Sequence, residues 1–513
     1  MARVGTQALR EMRRARRRRA YEQIDWIDAV YRVYVTAILA AVATSFISGI
    51  VGGRPVTPTE LSRALDFGPA LAGLVVAGSV AAGLRSGGRG GPLVLLPADV
   101  TIVLLAPIPR AVVLRGVAAR QLRFSGFVGA VVGMITGNLA AQRLPGTYAA
   151  WVASCGLVGL ITGLAFTGSA LVASGRRIGR RVAGLVATAL VGWSVADLAT
   201  KHATSPATFL GRLAMAPVHG VGTPLVGLIV VVLPLVGLAV IGGTSLEAAL
   251  RQAGLAAQLR FAVTMQDVRT VILLRRQLSS EGPRRRPWVT ISGPVRRGPV
   301  WRRDWQGVLR WPAPRILRVV VLGAAAGVAA TAAWEGTPVL VALAGLALLV
   351  GALDAIEGLA QEADHPTLSR SLPFGSGWLV LRHLAVPTVL MLGASVVGIL
   401  VGGALGPGGL PAVIGIGLVA AIPAAIAAVV GAAVSVSVGP AINPLEVGPL
   451  ANAIAGAKAA GPPLLAVVGV LPLAAARIAV DDRHSALAGA GPAAVGVLLL
   501  ALAVGAVVLL REV

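Results

Sequence analysis

Apolar residues in this chain run on for about 17 to 25 positions at a time between brief polar breaks, the length a helix needs to cross the hydrocarbon core of a bilayer. By that rule about twelve runs qualify, at 33–51, 69–85, 125–142, 149–173, 182–200, 224–243, 317–335, 337–353, 385–405, 410–438, 462–480 and 492–510. The stretch 244–316, between the sixth and seventh, is polar and basic. The pattern predicts an all-α membrane protein of about twelve transmembrane helices in two six-helix halves joined by a cytoplasmic amphipathic linker. Its expected parts are a basic cytoplasmic N-terminal arm at 1–32, a first half at 33–243, the linker at 244–316 and a second half at 317–513.

One run does not fit. LLPADVTIVLLAPIPRAVVLRG, Leu95 to Gly116, is almost continuously apolar but contains Asp99, Pro97, Pro107 and Pro109. A straight lipid-exposed helix here would place a carboxylate and freed backbone groups in hydrocarbon. The segment is therefore expected to bend at the cytoplasmic surface, with Arg110, Arg115, Arg120 and Arg123 holding the next helix at the headgroups. EADHPTLSRSLPFGSGWLVLRH, Glu362 to His383, is its counterpart in the second half. Asp99, Pro107 and Arg115 follow one another at eight-residue steps, and Asp364, Pro373 and Arg382 at nine-residue steps. An aliphatic triplet precedes each arginine. The two stretches read as one element used twice.

Composition and charge fix the class and the orientation. Of 513 residues, 56% are hydrophobic and 13% charged, with 45 Lys+Arg against 21 Asp+Glu; the mean hydropathy is +0.82. With both termini inside, about 38 of the basic residues fall on the cytoplasmic side, as the positive-inside rule requires of a multi-pass protein of the cytoplasmic membrane. The N-terminus carries Arg16 to Arg19 with Trp26, Tyr31 and Tyr34 behind them. It reads as a basic helix on anionic lipid, nucleic acid being the competing reading of the same charges. In the linker, Thr244-x-x-Glu247 is a capping box ahead of a long amphipathic helix over 244–280. Residues 283–315 then interleave arginine with Trp288, Trp301, Trp305 and Trp311, which suits a membrane-interface belt or a nucleic-acid surface. The partner expected for both basic regions is anionic lipid of the inner leaflet, not nucleic acid.

LLPADVTIVLLAPIPRAVVLRGVAARQL, LRFAVTMQDVRTVILLRRQL and ALDAIEGLAQEADHPTLSRSLPFGSGWLVLRHLAVP resemble segments of actinobacterial membrane subunits related to the type-2 ATP-binding-cassette exporter permeases. The resemblance implies a permease subunit, here a fused pair of six-span halves, whose short cytoplasmic helices seat on separate ATPase subunits. It implies an ATPase-coupling role for Asp99, Pro107, Arg115, Asp364, Pro373 and Arg382, and leaves the substrate open.

The chain carries no phosphate-binding loop: Lys201 and Lys458 are its only lysines, and GAKAAG around Lys458 lacks the required glycine spacing and hydroxyl. ATP and magnesium are accordingly expected in a partner; no enzymatic activity, cofactor or metal is expected in this chain. His202, His219, His365, His383 and His484 are scattered, and His484 beside Asp481 and Asp482 reads as a solvated turn or a weak cation site. Asp354, Glu357 and Glu362 form an acidic cluster on a basic face, suited to docking an ATPase, to pairing with arginines of the first half, or to stabilising packing. Asp197 is read either as part of a pathway or as reaching out to water. Gly129, Gly133 and Gly137, with Gly159 and Gly163, have the four-residue spacing of close helix packing. Two other functions fit twelve spans: a secondary transporter with two six-helix halves, and a non-transporting membrane scaffold.

Overall fold

The computed structural model describes residues 56–87, 99–219, 225–247, 284–291, 299–335, 339–364, 376–405, 409–437 and 460–509, with a few isolated positions between them. The N-terminal arm, the span expected at 33–51, most of the amphipathic helix expected at 244–280, Pro373 and Lys458 lie outside the described residues. The chain divides into two compact units, Met1–Gln258 and Leu259–Val513. Every regular element among the described residues is helical, and nine helices are long and apolar enough to cross a membrane. The protein is an all-α, multi-pass membrane protein.

The first unit contains α1 (Pro58–Gly87), a π-helical turn (Asp99–Val103), α2 (Arg110–Ala141), α3 (Tyr148–Gly175), α4 (Arg180–Thr200), α5 (Pro206–Arg212) and α6 (Leu225–Val240). Lead-in and span after Pro109 are one unbroken helix of 32 residues rather than two pieces. At 1.5 Å per residue α2 is roughly 48 Å long, far more than the hydrocarbon thickness. Its first turns, with Arg110, Arg115, Arg120 and Arg123 all exposed, are the part that extends beyond the hydrocarbon. The sequence-expected bend ahead of it exists: the π-helical turn gives way to a non-helical stretch from Leu104 to Pro109 before the helix restarts at Arg110.

Glycine spacing sets the α2–α3 seam. Added β-carbons at Gly129, Gly133 and Gly137 would run into the carbonyls of Gly159, Cys155 and Trp151, and one at Gly163 into that of Ser125. These two backbones approach as closely as small residues allow. In α5, the Ser205 hydroxyl accepts from Thr208 N at 3.1 Å and Pro206 occupies the first turn, the arrangement in which a missing N–H costs nothing. Thr244 departs from expectation: its hydroxyl donates to the Ile241 carbonyl at 2.8 Å and closes the short 3₁₀ turn after α6. It does not form the reciprocal capping box.

The second unit contains α7 (Pro299–Val308), α8 (Ala313–Trp334), α9 (Leu340–Ala355), α10 (Glu357–Asp364), α11 (Ser376–Leu405), α12 (Gly409–Ser437), α13 (Leu471–Asp481) and α14 (Ala486–Leu509). Helix α13 ends an apolar helical stretch, Ala460–Asp481, long enough to span. The expected span at 337–353 is the first arm of a broken pair, α9 and α10, bent by 62° at Ile356. Ile356 is fully buried in the apolar core of this unit, so the chain turns around a packed side chain just where apolar sequence gives way to EGLAQEAD. Within the first unit α2 packs on α3, α1 on α3 and α3 on α6; within the second α11 packs on α12, α9 on α12 and α12 on α14.

Candidate functional site

The largest gathering of charged side chains among the described residues is at one end of the second unit, where α7, the start of α8, the α9–α10 bend and the start of α11 meet. Arg315 and Arg318 lie three residues apart on the first turns of α8, and so share a face. Arg318 pairs with Asp354 at the end of α9, while Arg315 pairs with Glu357 and also donates to the Asp354 carbonyl. Arg315 stacks its guanidinium 4.2 Å from the centre of the Trp311 ring. Residues 284–291 fold back over this corner: Trp288 Nε1 donates to the Trp311 carbonyl at 2.8 Å, and Arg284 lies 3.6 Å over the Trp288 ring. The Trp/Arg segment is thus partly a packed collar around the start of α8.

Helix α7 contributes two further charges. Arg303 Nη1 is 2.7 Å from Glu362 Oε1 on α10. Asp304 Oδ2 accepts from His383 Nδ1 at 2.8 Å, with His383 1% and Asp304 7% exposed. Gly358 on α10 makes this contact sterically possible, since a β-carbon there would lie 2.6 Å from Asp304 Oδ1 and 3.1 Å from His383 Nδ1. The other imidazole nitrogen, Nε2, is buried with no hydrogen-bond partner; Glu362 Oε1 is 4.0 Å away. A cavity of about 260 Å³ opens beside the cluster, lined among others by Asp304, Arg310, Trp311, Arg315, Gln361 and His383. Burying ionised groups is costly unless each is paired, and here carboxylates and cations are matched across four helices.

The acidic cluster Asp354, Glu357 and Glu362 therefore finds its arginines inside its own unit, on α7 and α8. Arg382, one residue before His383, is exposed and stacks 3.6 Å over Trp378. Asp364 closes α10. In the first unit, Asp99 opens the π-helical turn, Pro107 lies exposed in the non-helical stretch after it, and Arg115 Nε donates to the Leu238 carbonyl on α6 at 3.2 Å. That bond ties the start of α2 to the end of α6.

Asp197 corrects its reading as a group reaching for water. It is 1% exposed and receives the Thr204 amide at 3.1 Å, the Ser205 amide at 2.8 Å and the Thr204 hydroxyl. It organises the turn between α4 and α5.

Asp304 was not singled out from the sequence, and His383 was read there only as one of five scattered histidines. They are 79 positions apart, and no local spacing connects them. One signal was present: Asp304 is the sole acidic residue in the arginine- and tryptophan-rich segment 283–315. Set against known protein families, characterised proteins and solved structures, the chain matches none.

Proposed function

We propose that this chain is the membrane-spanning permease subunit of an ATP-driven exporter, built as two fused six-helix halves and energised by a separately encoded ATPase. The observation that carries the reading is the repetition of packing. Numbering the apolar runs as in the sequence, in both units the helix of the third run packs on that of the fourth, the second on the fourth and the fourth on the sixth. The second-on-fifth contact of the first unit, α1 with α4, differs in the second, where Gly345 of α9 meets Ala466 and Val467 ahead of α13, and the run at 33–51 lies outside the described residues. A duplicated bundle is the architecture of an alternating-access transporter, in which one half moves against the other around a central path.

The paired elements at 97–116 and 362–383 are the proposed seats for the ATPase. Each precedes or opens the third span of its half, and each presents an exposed arginine, Arg115 or Arg382, within the first two turns of that helix. With the arginine-rich ends inside, both elements face the cytoplasm of the cell membrane, where ATP and magnesium are bound by the partner. The chain itself then supplies the path and the lever. Anionic lipids of the inner leaflet hold the arginine-rich termini of the helices in place.

The test is purification of the tagged full-length chain from its native membranes. A copurifying ATPase whose hydrolysis is stimulated by the wild-type chain is the expected result. Arg115→Glu and Arg382→Glu together are expected to lower that stimulation, measured per amount of folded protein because Arg115 also bonds the Leu238 carbonyl, by on the order of tenfold, the loss of one or two charged contacts. Failure to recover an ATPase, with substrate movement that survives ATP depletion and collapses with the proton gradient, overturns the proposal in favour of a secondary transporter. Absence of both ATPase and flux leaves the scaffold.

A further inference from the structure

We propose that His383 is a proton-binding site and that its proton clasps the amphipathic helix α7 to the membrane-embedded bundle of the second unit. The inference stands whether transport is driven by ATP or by an ion gradient, because it rests on the geometry of the second unit alone.

Asp304 Oδ2 can only accept, so the ring nitrogen 2.8 Å from it, Nδ1, carries a hydrogen. The opposite nitrogen, Nε2, faces Glu362 Oε1 at 4.0 Å and has no hydrogen-bond partner. A neutral ring would turn a lone pair toward that carboxylate, leaving two acceptors facing each other in a buried place. A doubly protonated ring turns N–H groups toward both carboxylates. The charge balance agrees. Arg303 answers Glu362, Arg315 answers Glu357 and Arg318 answers Asp354, so three of the four carboxylates have an arginine. Among the described residues Asp304 has only His383, and an almost fully buried carboxylate without a cation is strongly unfavourable.

The imidazole contacts Asp304 of α7 and approaches Glu362 of α10; the cavity it lines also takes Arg303 of α7, Arg310 between α7 and α8, Arg315 of α8 and Glu357 of α10, and on α11 itself the neighbouring Arg382 is exposed and stacks on Trp378. The adjoining cavity supplies a route for water and protons. No three His, Cys, Asp or Glu side chains among the described residues converge as metal ligands do, and these distances suit a proton.

Helix α7 is the element this proton controls. It has no buried residue; Val308, half-buried, leans on the core at its end. Its docking to α10 and α11 depends on Asp304 with His383 and on Arg303 with the partly exposed Glu362. An element held by polar contacts rather than by burial is the kind that opens locally at low cost. Loss of the proton, from Nε2, leaves the Nδ1–H bond to Asp304 without the ring's positive charge and turns a lone pair toward Glu362, so the hold on α7 weakens at both carboxylates and the helix opens more readily.

The experiment measures the exposure of α7 in the full-length protein in liposomes. Val308→Cys reports the inner side of the helix and Gln306→Cys its exposed side, each labelled with a maleimide, with the unsubstituted chain giving the background from buried Cys155. Taking the ratio of the two rates cancels the thiol's own pH dependence. Across about pH 5 to 8, where histidine is the side chain that ordinarily changes charge, the ratio is expected to rise on the order of tenfold, the effect of removing the ring's positive charge from between two carboxylates. His383→Gln and Asp304→Asn are expected to hold the ratio high at every pH, and His383→Arg, which keeps a fixed charge, to hold it low. Should His383→Gln or Asp304→Asn fail to fold, the His383→Arg arm decides. A flat ratio in the wild-type background, or a pH dependence that persists in His383→Arg, overturns the proposal.

Discussion

Gly345→Ala is a single-methyl test of how tightly the second unit is built. Gly345 is buried on α9, and a β-carbon there would lie 2.6 Å from the Ala466 carbonyl oxygen, 2.6 Å from Val467 Cα and 2.7 Å from Val467 N. Ordinary contact begins near 3.4 Å, so the two helices must part by roughly 0.8 Å along this line if the packing is otherwise kept. All three obstacles are backbone, so no rotamer change relieves them. Overpacking of this kind costs about 1–3 kcal/mol, against a helix-propensity gain of about 0.5–1 kcal/mol for replacing glycine by alanine. The net expectation is a loss of about 1–2 kcal/mol. Gly393→Ala, on α11, has nothing within 4 Å of the added carbon and is the matched control: it collects the propensity gain alone. The assay is the fraction of monodisperse protein surviving a temperature ramp in mild detergent, read for both variants and the wild type. The expected order is Gly393→Ala at or above wild type and Gly345→Ala several degrees below. If Gly345→Ala melts with the control, or if adding Val467→Ala restores it, the backbone contact does not limit this seam and the argument is wrong.

Two further outcomes follow from the polar groups. Asp197→Ala removes the acceptor for two amides and a hydroxyl in a buried turn, and should lower stability by about 2–4 kcal/mol, with Asp197→Asn recovering part of it, measured by the same thermal assay. Arg318 and Asp354 are only partly buried, so a double-mutant cycle with Arg318→Ala and Asp354→Ala should give a coupling of about 1 kcal/mol that shrinks in high salt; a coupling near zero would assign the pair no role in stability.

Much of the fold was legible because a bilayer imposes a length rule. The runs at 149–173, 182–200, 410–438 and 462–480 match spanning helices almost end to end, since apolar composition and span length are the same quantity in hydrocarbon. Helix ends were less legible where a span continues into a polar interface. Helix α2 begins fifteen residues before its apolar run, at Arg110, because nothing in ARQLRF stops a helix once Pro109 has started it. The two-armed shape of α9 and α10 was not readable either, because it depends on Ile356 finding a buried seat.

What the sequence determined by itself was the class of protein, the helical content, the break at Pro107 to Pro109 and the glycine-lined contact of α2 with α3. Each is local: it follows from composition, from the geometry of proline or from a four-residue period. What only the tertiary structure decided was which charges meet. Asp354, Glu357 and Glu362 are answered by arginines 36 to 59 residues away, and Asp304 by a histidine 79 residues away. Electrostatic pairing in a buried place depends on distance in space and on the exclusion of water, and neither is encoded in the spacing of residues along a chain.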